Sequence, residues 1–162
     1  MDNRGFVQGL IADVIGPGTE RIMNSRYFSD LRAGRLTKRR LQGFAIQHHI
    51  HNLAVLKGFA LSMVKNADKP AFWAAFANGF YAEVTHPDMV KRFGISLGLI
   101  EEDFEYARPI YECRAHTAAV VHGFYLGSHV ENITSALSNE TMVQRYSEEF
   151  NIYLRKEYGL GE

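Results

Sequence analysis

An all-α helical bundle is the fold this sequence predicts, and three observations predict it. Apolar residues recur at the three- and four-residue spacing of one helix face through nearly the whole chain. No segment alternates apolar and polar residues as a half-buried strand does. The interruptions are short and carry Gly, Pro, Asn or Asp, as connections between neighbouring helices of a bundle do. The chain has 162 residues, enough for one domain with a substantial core and too few for two typical ones. A single domain over residues 1–162 is therefore expected.

The elements follow in order. Phe6, Leu10, Val14 and Ile15 form a first stripe, which Gly16-Pro17-Gly18 is expected to interrupt. Thr19 to Asn24 and Tyr27 to Leu31 read as the next helical pieces, with Gly34 as a helix stop. Thr37 is a good N-cap for a long helix reaching about Lys65. Its expected inner face is Leu41, Phe44, Ala45, His48, Asn52, Val55, Leu56 and Phe59. Pro70 to Glu83 is another helix, rich in Phe. Pro87 disfavours helical geometry at His86, which places the break there, before a short helix ending near Gly98. Ile100 to Tyr106 is a short acidic helix stopped by Pro109. From Arg114 the helical pattern resumes, and Gly127-Ser128 is expected to bend or end that helix. Val130, Ile133, Leu137 and Val143 carry the stripe onward and aim it at Glu140, before Tyr146, Phe150 and Leu154. Gly159 and Gly161 close the pattern.

Composition excludes several classes. Eighteen basic and eighteen acidic residues cancel, so no general nucleic-acid or anionic-membrane surface is expected. No apolar run has the length of a membrane span, and the N-terminus lacks an apolar signal region. One cysteine, Cys113, rules out an internal disulfide and fits a reducing compartment, so a cytoplasmic protein is expected.

Three places offer chemistry. Glu83 and His86 lie three residues apart, on one face if the helix runs through them. A Glu-x-x-His pair is the ligand spacing of carboxylate-bridged di-iron sites, and also the spacing of an ordinary solvated pair at a helix end. Glu140 sits among apolar residues, where a carboxylate needs a metal or a cation such as Arg114 or Lys57 as its partner. The run His48-His49-Ile50-His51-Asn52 makes a polar belt on the long helix. His48, His51 and Asn52, with Lys57, would line a pocket and hold an aromatic or carboxylate ligand. The opposite reading has one histidine buried and hydrogen-bonded while the others face water. Cys113, ahead of a helix and with no base at a useful spacing, is a weak nucleophile.

The order Tyr27-Phe28, Leu31, Gly34, Leu36-Thr37 and Leu41 resembles the TenA/PqqC-like branch of the heme-oxygenase-like superfamily. So do His86-Pro87-Asp88-Met89-Val90 leading to Arg92-Phe93 and Leu97-Gly98-Leu99, and Ala107-Arg108-Pro109 followed by Glu112 and Arg114-Ala115. Within that branch the chain is most similar to the CADD-like, iron-containing redox group. The resemblance implies a heme-oxygenase-like bundle around a central pocket and, for many members, non-heme di-iron oxidase or oxygenase activity. It also implies iron ligation by His86 and by Glu140, which the count forward from Glu112 to Tyr158-Gly159 matches to the family's second glutamate. The family's first glutamate falls on Gly79, so Glu83 would take its place. Family members continue past Tyr158-Gly159 into a helix with the remaining ligands, whereas this sequence ends at Glu162, so a bundle truncated at its C-terminus is expected.

Three functions are expected from these residues. The first is an iron-dependent oxidase acting on a small organic metabolite, with Glu83, His86 and Glu140 as ligands. The second is a metal-independent, PqqC-like oxidase of cofactor biosynthesis, or a ligand-binding protein, using the histidines and Lys57. The third is a non-catalytic bundle acting through association, for which a homodimer is expected.

Overall fold

A computed structural model of the chain describes residues 2–160; Gly161, read above as closing the pattern, lies outside them. Among the described residues every regular element is helical. The order is α1 (Asn3–Leu10), a π turn (Ile11–Ile15), α2 (Gly16–Met23), α3 (Arg26–Arg32), α4 (Lys38–Lys65), α5 (Pro70–Glu83), α6 (His86–Ser96), α7 (Glu101–Glu105), α8 (Tyr111–Leu126) and α9 (His129–Tyr158). No described helix is long and apolar enough to cross a membrane.

Several boundaries follow from local chemistry. Thr37 caps α4 as expected, its side chain accepting from the Arg40 N–H at 3.3 Å. Gly34, Gly98 and Gly159 adopt positive φ after α3, α6 and α9, the left-handed stop that favours glycine. Ser128 and Glu131 form a reciprocal cap at the start of α9, with the Glu131 carboxylate accepting from the Ser128 N–H at 2.6 Å. That bond lowers the pKa of Glu131.

Two expected boundaries moved. Gly16-Pro17-Gly18 does not interrupt the first helix. Pro17 has no N–H to give, and its ring crowds the carbonyl four residues back. The wider π turn just before it absorbs that misfit, closed by the Gly16 N–H bonded to the Ile11 carbonyl. The second break lies at Val84-Thr85 rather than at His86. His86 and Pro87 open α6, where a missing proline N–H costs nothing because first-turn donors have no intrahelical acceptor.

The chain forms two compact units, one of Met1–Leu36 with Ile133–Glu162, the other Thr37–Asn132. In the first, Arg32 holds Glu149 at 2.6 Å and the Met23 carbonyl at 2.8 Å. The Tyr158 hydroxyl accepts from the Leu36 N–H at 2.9 Å and donates toward the Asp30 carbonyl at 3.3 Å.

In the second unit, α4 packs against α5, α6, α7 and α8. The C-terminal half of α4 builds an aromatic core: Val55 and Met63 with Phe72 and Phe76 of α5 and Phe124 of α8. Phe59 stands 4.6 Å, ring centre to ring centre, from Phe124. Gly58 permits this approach, since a Cβ there would lie 3.0 Å from the Phe124 ring. Toward the N-terminus, Gly94 of α6 does the same for Phe104, whose ring would lie 2.5 Å from an added Cβ.

Candidate functional site: a histidine face on α4

The buried face of α4 is Leu41, Ala45, His49, Asn52, Val55, Gly58, Ser62 and Met63. Phe44, His48, Leu56 and Phe59, expected to share it, are half-buried on its flank. His49 is therefore the core histidine. Its Nδ1 lies 3.0 Å from the Pro87 carbonyl, and its ring meets Phe104 edge-on at 5.2 Å. A carbonyl only accepts, so His49 donates from Nδ1 and ties α4 to α6.

His48 and His51 stand beside it, half-buried, and form a face with His116 of α8. The His51 and His116 rings stack at 4.9 Å, and the His48 and His51 ring centres are 6.1 Å apart. Phe44 covers His48 from one turn away, at 5.1 Å. Burial, helped by the nearby His86 and His116, lowers the pKa of His48 to about 4. Burial, then His116 and His48, lowers that of His51 to about 4. His116 is lowered as well, by burial. At neutral pH the face is a set of uncharged imidazoles, each with one N–H and one lone pair.

Glu83 and His86 do come together, although they belong to different helices. The Glu83 carboxylate lies 2.6 Å from Nδ1 of His86 across the α5–α6 break. An ionised carboxylate only accepts, so Nδ1 carries a proton, and the lone pair of the unprotonated ring is then the one on Nε2. His86 also acts electrostatically on His48, helping to lower its pKa.

Asn52 is buried, and its Nδ2 has no hydrogen-bond partner. Lys57 is exposed. Nine residues from His48, it points off the opposite side of α4. Glu140 is exposed and accepts from the Asn139 side chain at 3.3 Å. Of the stripe expected to turn it inward, Leu137 and Val143 are half-buried, but Val130 and Ile133 are 66% and 48% exposed. Glu140 belongs to the first compact unit, and Glu83 and His86 to the second. Gly79 lies on α5 with a Cβ position 3.5 Å from Phe59.

Two residues that sequence reasoning passed over, Gln47 and Thr117, join α4 to α8. Gln47 accepts from the Ile110 N–H at 2.9 Å and donates to the Arg108 carbonyl at 3.2 Å, holding the segment before α8. Thr117 lies 3.2 Å from Nδ1 of His51. Cys113 lies inside the first turn of α8, not in a preceding turn as expected, and donates toward the Gln47 carbonyl at 3.4 Å. With the helix expected only from Arg114, the one-turn spacing of Cys113, His116 and Thr117 and the face of α8 that meets α4 were both missed.

Among the described residues no three His, Cys, Asp or Glu side chains are grouped so as to hold a metal ion. Glu83 and His86 offer two donors, bonded to each other.

No curated protein and no solved structure matches the chain. Its residues 20–159 match the family model described as TENA/THI-4/PQQC family, within the heme-oxygenase-like superfamily, and the chain belongs to that family.

Proposed function

We propose that this protein is an enzyme of small-molecule metabolism, in the cofactor-biosynthesis manner of its family, that works through the Glu83–His86 pair and the histidine face of α4. The single observation carrying the reading is the 2.6 Å contact between Glu83 and Nδ1 of His86. A carboxylate on Nδ1 orients the ring and supports the positive charge that develops when Nε2 takes a proton. His86 is then the general base, Glu83 its positioning partner, and His48, His51 and Asn52 the groups that hold an uncharged or weakly acidic organic substrate. Low basicity keeps His48 and His51 from competing for the proton that His86 removes.

The test is to incubate chelator-treated protein with a small-molecule extract and follow consumption by mass spectrometry. A species consumed by the wild type should turn over about 10²–10⁴-fold more slowly with His86→Gln. Turnover that survives unchanged in that variant would overturn the reading.

A second reading is the iron-dependent oxidase of the CADD-like group, with Glu83, His86 and Glu140 as ligands. It is favoured by the adjacency of Glu83 and His86, two donors of the expected types. Elemental analysis of protein expressed with added iron decides it. Near-stoichiometric iron that disappears in Glu140→Ala supports the oxidase, whereas iron unchanged in that variant removes Glu140 from the ligand set.

A further inference from the structure

We propose that Thr117 is a positioning residue that holds His51 as its Nε2–H tautomer, making this imidazole a hydrogen-bond donor to an acceptor oxygen of the substrate. The proposal deepens the reading of the histidine face as the substrate site and rests on it.

The argument begins with where helical hydroxyls usually bond. Thr19, Ser138 and Thr141 each donate to the carbonyl four residues back, at 2.8 to 2.9 Å. Thr117 does not. Its Oγ1 contacts Nδ1 of His51 at 3.2 Å and the Cys113 sulfur at 4.0 Å. The Cys113 thiol already has an acceptor in the Gln47 carbonyl.

Two proton arrangements satisfy these contacts. In one, Thr117 O–H donates to Nδ1, a good acceptor, and the 4.0 Å sulfur contact carries little. In the other, Nδ1–H donates to Thr117, whose own proton is then left with the Cys113 thiol sulfur at the far limit of hydrogen bonding, a weak acceptor. The first gives the hydroxyl proton the better partner. It leaves His51 with its proton on Nε2, an atom with no protein partner among the described residues.

His51 is uncharged at neutral pH, so it has one N–H to place, and Thr117 decides where. The outcome opposes that at His86. A carboxylate on Nδ1 leaves a lone pair at Nε2 of His86, while a hydroxyl donor on Nδ1 leaves a proton at Nε2 of His51. The ring of His86 presents Nε2 to take a proton, and that of His51 presents Nε2–H to donate a hydrogen bond. Stacking on His116 at 4.9 Å steadies the plane of the His51 ring.

Long-range proton–nitrogen NMR on the full chain with labelled histidine, near pH 7, reads the tautomer without any substrate. The wild type should show His51 protonated at Nε2 alone. Thr117→Val should give a mixed or reversed tautomer with the amide spectrum otherwise retained, and Thr117→Ser should restore the wild-type pattern. A wild-type His51 protonated at Nδ1, or a Thr117→Val spectrum identical to wild type, would overturn the proposal. In the turnover assay His51→Gln, whose amide N–H replaces Nε2–H, should keep more activity than His51→Asn. An Nε2–H tautomer with no effect of either His51 variant on turnover would refute the substrate-donor role while leaving the tautomer assignment standing, and so separates the two failures.

Discussion

The two halves of α4 face the same neighbour, α8, and do different work. Between Val55 and Met63 the contact is aromatic: Phe59 against Phe124, with Gly58 letting the helices approach. Between Gln47 and Asn52 it is polar: Gln47 to Ile110 and Arg108, His51 to Thr117, and His51 stacked on His116. The first half gains from every ångström of apolar area removed from water. The second half keeps half-buried, uncharged imidazoles and a buried, unpartnered amide, which stabilises little and keeps hydrogen-bonding atoms free. A helix pair can therefore be clamped at one end and chemically open at the other.

The comparison breaks most visibly at the clamp. Phe124→Ala should cost about 3–5 kcal/mol in urea unfolding, because a large buried ring leaves a cavity between α4, α5 and α8. A loss below about 1 kcal/mol would mean the aromatic half is not what joins the helices.

Acid should act on the other half. His48 and His51 have pKa values lowered to about 4 from 6.5, so between those pH values the unfolded chain binds more protons than the folded one. Stability is then highest above about pH 6.5 and falls as the pH drops toward 4, by a few kcal/mol in all. Replacing both residues with asparagine should flatten that slope. An equally steep slope in the double variant would assign acid sensitivity to other groups.

His49 separates the core histidine from its neighbours. His49→Ala should cost about 1–3 kcal/mol, since it strips the Pro87 carbonyl of its donor and unpacks Phe104. His48→Ala should cost less, a ranking that thermal unfolding of the two variants checks.

The smallest effect has the opposite sign. Asn52→Leu removes a buried donor without a partner, so stability should hold or rise by up to about 1 kcal/mol. Substrate turnover should fall in the same variant. A clear loss of stability would show that Asn52 is structural rather than held open for a ligand.

Much of the fold was legible because helix signals are local. Thr37, Gly34, Gly98 and Pro70 each act through their own φ angle or their own donor, so the ends they set could be read directly. Pro17 and Pro87 misled for the same reason. Each forbids one hydrogen bond, but whether a chain breaks, widens by one residue or restarts depends on what the neighbouring turns can absorb. The site was legible in its residue types and less so in its geometry. Glu83 and His86 meet although they share no helix, and Glu140 is exposed although it lies on an apolar stripe. A period of 3.6 residues places side chains on a helix to within about one position, and on α4 that one position separates His49 in the core from His48 beside it.

By itself, then, the sequence determined that this chain is helical throughout its regular elements, where its long helix begins and ends, and which residues carry chemistry, because propensity, caps and periodicity act over a few neighbours. Only the tertiary structure decided which imidazole is buried, which ones are kept uncharged, and which nitrogen of each faces a carboxylate, a carbonyl or a hydroxyl. Those depend on partners far away in the chain: Pro87 for His49, Thr117 for His51. Burial and a single hydrogen bond, set by helix packing, are what give side chains of one residue type different surroundings and different exposed nitrogens.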